Sequence, residues 1–349
     1  MIIEENIFEH NGWYSQAGSG GPGLADMFEQ NLYIMTPNNA IVRNNIFSRA
    51  ASINLKYSAE VDQLGDTNYN LVDNNLFIDG EVGISVWNYN PDARKYTSFS
   101  ITNNVLTNIG RSKPTNRALS WGIGVADIGT GVISGNIIMN QLDPTLEGWG
   151  FQTRGYLLNL SFTNNVLSNL YRIDAFQLTY DASNPQQSVS VSSVGNKIYM
   201  PVNGGYIATA SYTPTSWSFA DNTYYTSKSD ETRFSILGTN KTDSEWSAET
   251  GDNSTFGLII FPDQTRSVET YMQTLGETGA IDTFITNARA QDRYNWNAAY
   301  TAPVVNSYIR AGFGIEDGQV DPQPSVNTRL RKLPGGLRSI NGHLFALPE

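Results

Sequence analysis

Residues 41–47 read IVRNNIF and residues 71–77 read LVDNNLF, so a paired asparagine between apolar residues returns after one thirty-residue interval. Taking the second asparagine as origin gives the column Asn6, Asn45, Asn75, Asn104, Asn136, Asn165, Asn196 and Asn222. Its steps are 39, 30, 29, 32, 29, 31 and 26 residues. Three positions earlier stand Ile3, Val42, Val72, Ile101, Ile133, Phe162, Ser193 and Phe219. Two positions later stand Phe8, Phe47, Phe77, Leu106, Ile138, Leu167, Ile198 and Tyr224. Only Ser193 breaks the apolar character of the two flanking columns.

A period of roughly 20–50 residues is the signature of a solenoid or a propeller. Long 3.6-period runs, which a helical solenoid needs, are absent between the asparagines. The intervening texture is short β-rich pieces such as GISVW, GFQTR and AFQLT, separated by Gly, Asn and Asp. One coil of a parallel β-helix per repeat fits this texture, since a coil buries little alone and a stack of coils makes one long core. A charged fraction of only 16%, with abundant turn formers, agrees with an all-β chain. At the same inward bend of each coil, an asparagine amide would bond the amides above and below it, pairing groups otherwise buried without partners.

These columns resemble the right-handed parallel β-helix superfamily, which includes pectate-lyase-like polysaccharide lyases, some glycoside hydrolases and phage tailspikes. The resemblance covers residues 1–225 and implies an all-β, right-handed parallel β-helix. Residues 226–315 change texture to a polar, loop-rich stretch followed by three helix-like segments: SVETYMQTLG, AIDTFITNARAQ and PVVNSYIRAGFG. Gly276 and Gly312 close the first and third, and Pro303 opens the third. WNAAYTAPVVNSYIRAGFG is similar to a terminal segment of secreted bacterial β-helix proteins, which implies short helices capping an open end or one face. Residues 316–349 read as an extended arm. The first column match falls at Ile3, with no capping helix ahead of it. That coil end is expected to be covered by a partner chain, by the arm or by further residues, which makes a homo-oligomer or larger assembly a natural expectation.

The net charge of −11 argues against nucleic acid and anionic membrane as partners. Absence of cysteine removes thiol catalysis and disulfides, and two histidines cannot build a multi-histidine metal site. No signal peptide is visible at MIIEENIFEHNGWY, and no apolar run is long enough to span a membrane. The resemblance implies an extracellular or virion-associated protein acting on polysaccharide.

Alternation along the second strand of each coil predicts two outward columns. One holds Asn54, Ser85, a glycine near 124, Gln152 and Gln177; the other holds Lys56, Trp87, a small residue near 126, Arg154 and Thr179. Amides beside a Trp and two bases, flanked by Asp127 and Asp181, suit an extended glycan. In the resembled lyases a basic side chain removes the proton α to a uronate carboxylate while another cation neutralises that carboxylate, a task for a base of depressed pKa. Here the pair would be Lys56 and Arg154, three coils and about 14 Å apart by backbone spacing. His10 in FEHNGWY is a second candidate base, or simply a turn residue. Asp79, Glu81, Asp127, Asp174 and Asp181 are the acids from which a glycosidase pair could come. Asp/Asn turns suit calcium, although no spacing demands it, and no other cofactor is implied. The alternative to an enzyme is a non-catalytic structural or adhesive module, such as a phage spike or cell-surface component.

Overall fold

A computed structural model describes residues 1–13, 25–35, 39–58, 67–87, 96–179, 190–292, 294–315, 338–340 and 343–345. The chain divides into two compact units, Met1–Asp317 and Gly318–Glu349. In the second, the described residues form one antiparallel pair, Arg338–Ile340 with His343–Phe345.

The first unit is a parallel β-solenoid with three strands per coil. The segment before the paired asparagines is the first strand of a coil, and it stacks from Ile2–Glu4 through Ile41–Arg43 and Thr67–Asp73 to Ser216–Ala220. The segment after them is the second strand, and these form a separate nine-stranded parallel sheet from Ile7–Glu9 to Thr255–Phe256. The third strand stacks from Gln30–Met35 through Ile53–Ser58 and Val82–Val86 to Phe234–Ile236. In Leu119–Ser134 and Glu147–Thr163 the third strand runs into the next coil's first strand without a loop. The turn there reduces to one left-handed residue, Asp127 (φ 57°) or Gly155 (φ 68°).

The columns read from the sequence are the register. Ile3 pairs with Val42, Val42 with Val72, and Ile133 with Phe162 on the first sheet. Phe8 pairs with Phe47, Phe47 with Phe77, and Leu167 with Ile198 on the second. Asn45, Asn75, Asn104, Asn136, Asn165 and Asn196 are fully buried. In each rung Nδ2 donates to the next Oδ1, at 3.0 Å from Asn75 to Asn104 and 3.0 Å from Asn104 to Asn136. The same oxygen also accepts the backbone N–H of the preceding asparagine, and a second Nδ2 proton goes to a carbonyl one coil back, as Asn104 does to Val72 at 3.0 Å. Every donor and acceptor of these amides is therefore used, as burial requires. Ser254 Oγ closes the ladder by accepting the side-chain and backbone N–H of Asn222.

The first residue of each pair has a different task. Asn44, Asn74, Asn103, Asn164 and Asp221 have φ between 52° and 58°, and glycines stand at the equivalent positions 135 and 195. Asparagine tolerates this left-handed conformation better than most side chains, which explains the doublet.

The solenoid pairing continues beyond the expected boundary at 225, through Phe234–Ile236 and Thr255–Phe256. An antiparallel turn back at Thr239–Lys241 and helix α1 (Asp243–Thr250) then close this end of the core. Trp246 of α1 is buried, stacks on Phe234 at 4.5 Å between centroids and meets Phe219 edge-on at 5.0 Å. Thr242 and Glu245 form a reciprocal cap that fixes where α1 starts. The helices α2 (Val268–Thr274), α3 (Ile281–Arg289) and α4 (Ala302–Gly312) cover a face instead of an end. Their Val268, Met272, Phe284 and Val305 pack on Ile46, Leu76, Val105, Ile137 and Val166, the outward column of the nine-stranded sheet. Asn306 and Arg310 tie α4 to the turn column through Asn74 Oδ1 at 3.0 Å and the Gly135 carbonyl at 2.6 Å.

Candidate functional site

The outer face of the third-strand sheet differs from expectation by two residues in one coil. Lys56, not Asn54, pairs with Ser85, and the row continues through Gly124 and Gln152 to Gln177. Asn54 is fully buried instead. It belongs to a second, short amide ladder: Asn11 Nδ2 donates to Asn31 Oδ1 at 3.1 Å and Asn31 Nδ2 to Asn54 Oδ1 at 2.8 Å. Asn54 Nδ2 ends that ladder on the Asp79 carbonyl at 2.7 Å. Ile53–Ser58 starts at a coil corner, where both faces are lined by protein, so simple alternation fails there.

Trp87 is the centre of the outer face. The Arg154 guanidinium lies 4.2 Å from its ring centroid and the Lys56 ammonium 5.6 Å from it. Arg154 pairs with Ala126, whose small side chain lets the long arginine reach across a coil toward Trp87. The two cations thus meet on one indole despite the backbone separation. Lys56 is 7% exposed, and its Nζ donates to Ser85 Oγ at 3.2 Å. Burial pulls its pKa down to about 8.

Beyond Gly124 the row becomes a chain of amides. Gln152 Nε2 donates to Gln177 Oε1 and to Thr179 Oγ1, each at 3.3 Å. Gln177 Nε2 passes the chain to Asp174 Oδ2 at 2.9 Å. Burial raises the Asp174 carboxyl above the usual range, while hydrogen bonds from Gln177 and the Tyr206 N–H and the charge of Lys228 pull the other way. Beside this row Trp121 and Trp149 stack at 4.3 Å, a second aromatic platform that the sequence reading left out. Trp121 and Trp149 pair in register and each is the third residue of its strand, a signal that alignment of the coils carries.

The remaining sequence candidates lie elsewhere. Asp127 is 4% exposed, at a coil corner, and is not displayed on the outer face. Asp181 falls outside the described residues. Asp79 and Glu81 are buried and hold the segment 111–118: Asp79 accepts from Ser112 and Gly80, and Glu81 from Thr115 and Arg117. With every oxygen engaged, this pair is structural. His10 (φ 55°) sits in a turn column with Arg49, Asp79, Asn108, Asn140 and Asn169, edge-on to Trp13 at 4.8 Å and 3.2 Å from Glu9. Its setting is the wall of a separate cavity against α3. Among the described residues, no group of three or more acids and histidines converges as a metal site requires. No helix there is long and apolar enough to cross a membrane.

Fold and site together define a parallel β-solenoid that carries a cation–aromatic–amide strip on one outer face. The chain matches no protein-family model, no curated protein and no solved structure.

Proposed function

We propose that this protein is a polysaccharide-active β-solenoid that binds an extended acidic glycan along the third-strand face and cleaves it by β-elimination. The reading rests on one observation: Lys56 and Arg154 share the Trp87 ring, and burial has brought Lys56 to a pKa of about 8. A lysine so placed is partly neutral in mildly alkaline solution and can accept a proton. In the step envisaged, neutral Lys56 takes the proton from the carbon α to a uronate carboxylate. Arg154 offsets the growing charge on that carboxylate. The freed electron pair forms a carbon–carbon double bond as the glycosidic bond at the β-carbon breaks, and the departing oxygen takes a proton from water. Trp87, with Trp121 and Trp149 along the strip, offers stacking surfaces for sugar rings, and Gln152 and Gln177 offer directional hydrogen bonds. A hydrolase mechanism has less support, because it needs two acids and, among the described candidates, Asp174 alone stands on the strip, while Asp79, Glu81 and Asp127 are buried away from it.

The test is incubation with a panel of uronate polysaccharides while following ultraviolet absorbance of new unsaturated ends. A rise with the parent protein that disappears with Lys56→Met supports the proposal. No rise on any substrate, together with no retention of the protein on the same immobilised glycans, removes it.

A further inference from the structure

The two ends of the asparagine ladder are finished differently. At the far end Ser254 accepts both donors of Asn222. At the near end Asn6 donates to Asn45 Oδ1 at 3.1 Å and to the Glu4 carbonyl at 2.8 Å. In every inner rung the asparagine Oδ1 accepts two N–H groups from the coil before it, and among the described residues nothing donates to Asn6 Oδ1. Ile7–Glu9 is likewise an edge strand of the nine-stranded sheet, paired on one side only, with Ile46–Ser48. The stack of rings Phe77, Phe47 and Phe8, spaced 4.8 and 4.9 Å, stops there too.

This edge borders a groove that is partly open to solvent. A cavity of about 770 Å³ runs along it, lined by Asn6, Phe8 and His10 on the solenoid and by Arg289, Trp296 and Tyr300 on the helical side. That volume lies in the range of ordinary ligand sites, roughly 300–1,000 Å³. A free strand edge at the floor of a groove is the arrangement that takes an added β-strand, with main-chain bonds giving affinity and side-chain pockets giving specificity.

We infer that this groove binds an extended peptide strand, parallel to Ile7–Glu9, that carries asparagine over Asn6 and an aromatic or aliphatic residue two positions later over Phe8. Ladder polarity sets both direction and residue. The incoming side-chain amide and backbone N–H would converge on Asn6 Oδ1, as those of Asn6 converge on Asn45 at 3.1 and 3.0 Å. The ring or branched chain two residues on would extend the phenylalanine stack.

The probe is a synthetic peptide with the sequence of residues 40–48, a rung this solenoid is built to accept, labelled for fluorescence anisotropy. Saturable binding is expected, weakened at least ten-fold by Asn45→Leu or Phe47→Ser in the peptide. In the intact protein Asn6→Leu, an exposed position, should abolish the preference for the asparagine peptide over its leucine variant. Trp87→Ala should leave peptide binding unchanged, which separates this site from the proposed glycan strip. Absence of saturable binding overturns the inference. So does equal binding of the asparagine and leucine peptides, or a preference for asparagine that survives Asn6→Leu.

Discussion

Asn136 Oδ1 receives two hydrogen bonds from Asn104, one from its side-chain Nδ2 and one from its backbone N–H, each 3.0 Å long. One buried oxygen thus fixes both the conformation and the stacking distance of the neighbouring coil. Asn104→Leu would keep the branched shape but leave the Asn75 donors without an acceptor and the Asn136 oxygen with only the backbone N–H of residue 104. Unmet buried polar groups of this kind cost roughly 1–3 kcal/mol in total stability. Urea unfolding should show that loss for Asn104→Leu. Asn6→Leu should be near neutral, because Asn6 is exposed.

Trp246 closes the far end of the core as the asparagines organise its length. Its ring stacks on Phe234, and its Nε1 donates to Asp252 Oδ2 at 3.0 Å, an oxygen that also accepts from Tyr224 at 3.2 Å. Trp246→Ala should cost about 3–5 kcal/mol through the cavity it leaves. Hydrogen exchange should speed most in Ser216–Ala220 and Thr223–Thr226, the coil beneath the plug, and little in Ile41–Arg43. Uniform acceleration along the solenoid would mean that α1 is not a local cap.

The ladder was legible because a buried amide tolerates no substitute in the middle of a stack, so every coil repeats it. The residue just after each ladder asparagine carried a second message. Ile46, Leu76, Val105, Ile137 and Val166 are apolar although they point outward, and the row turns polar at Lys197 and Thr223. Read as a column, it announces a covered face, and α2–α4 cover it. The outer strip was harder to read. Alternation gives a side chain's face but not its register: Lys56 stands where Asn54 was expected because the strand is offset by two residues, and Asn54 is covered at the corner. The Trp87 cluster was hidden for another reason: backbone spacing says where a side chain starts, not where a long arginine ends.

Lys56 supplies two linked expectations. As a base it acts when neutral, so elimination should rise with pH and reach half its limit near the pKa of about 8. Lys56→Arg, which never loses its proton in this range, should be inactive throughout. Stability moves in the same direction. The folded pKa lies near 8 and the ordinary lysine value is 10.5, so between them the unfolded chain binds more protons. Unfolding free energy contributed by this group therefore rises from pH 8 to 10.5 and is flat below 8. Lys56→Met should be more stable than the parent at pH 7 by roughly 1–3 kcal/mol, a gap that narrows as pH rises. A constant gap across that window would show that Lys56 titrates normally.

Two glycines on one strand separate the packing of this face from its use. A Cβ on Gly122 would stand 2.3 Å from the Gly150 carbonyl oxygen and 2.9 Å from Ile138 Cδ1, both in tightly packed surroundings. A Cβ on Gly124 would meet only Trp149 Nε1, at 4.0 Å. Gly122→Ala should therefore strain the backbone of two coils and cost roughly 1–3 kcal/mol, the range for overpacking. Gly124→Ala should leave thermal stability unchanged. Gly124 also interrupts the polar row between Ser85 and Gln152, so a glycan lying along the strip must pass directly over it. Gly124→Leu would raise an apolar side chain in that path without touching Lys56 or Arg154. Glycan retention should then fall at least ten-fold while the melting temperature stays within about 2 °C of the parent, since surface substitutions change stability by about 0.5 kcal/mol or less. If Gly124→Leu retains the glycan as the parent does, the chain of sugars does not run along this row, whatever Lys56 contributes.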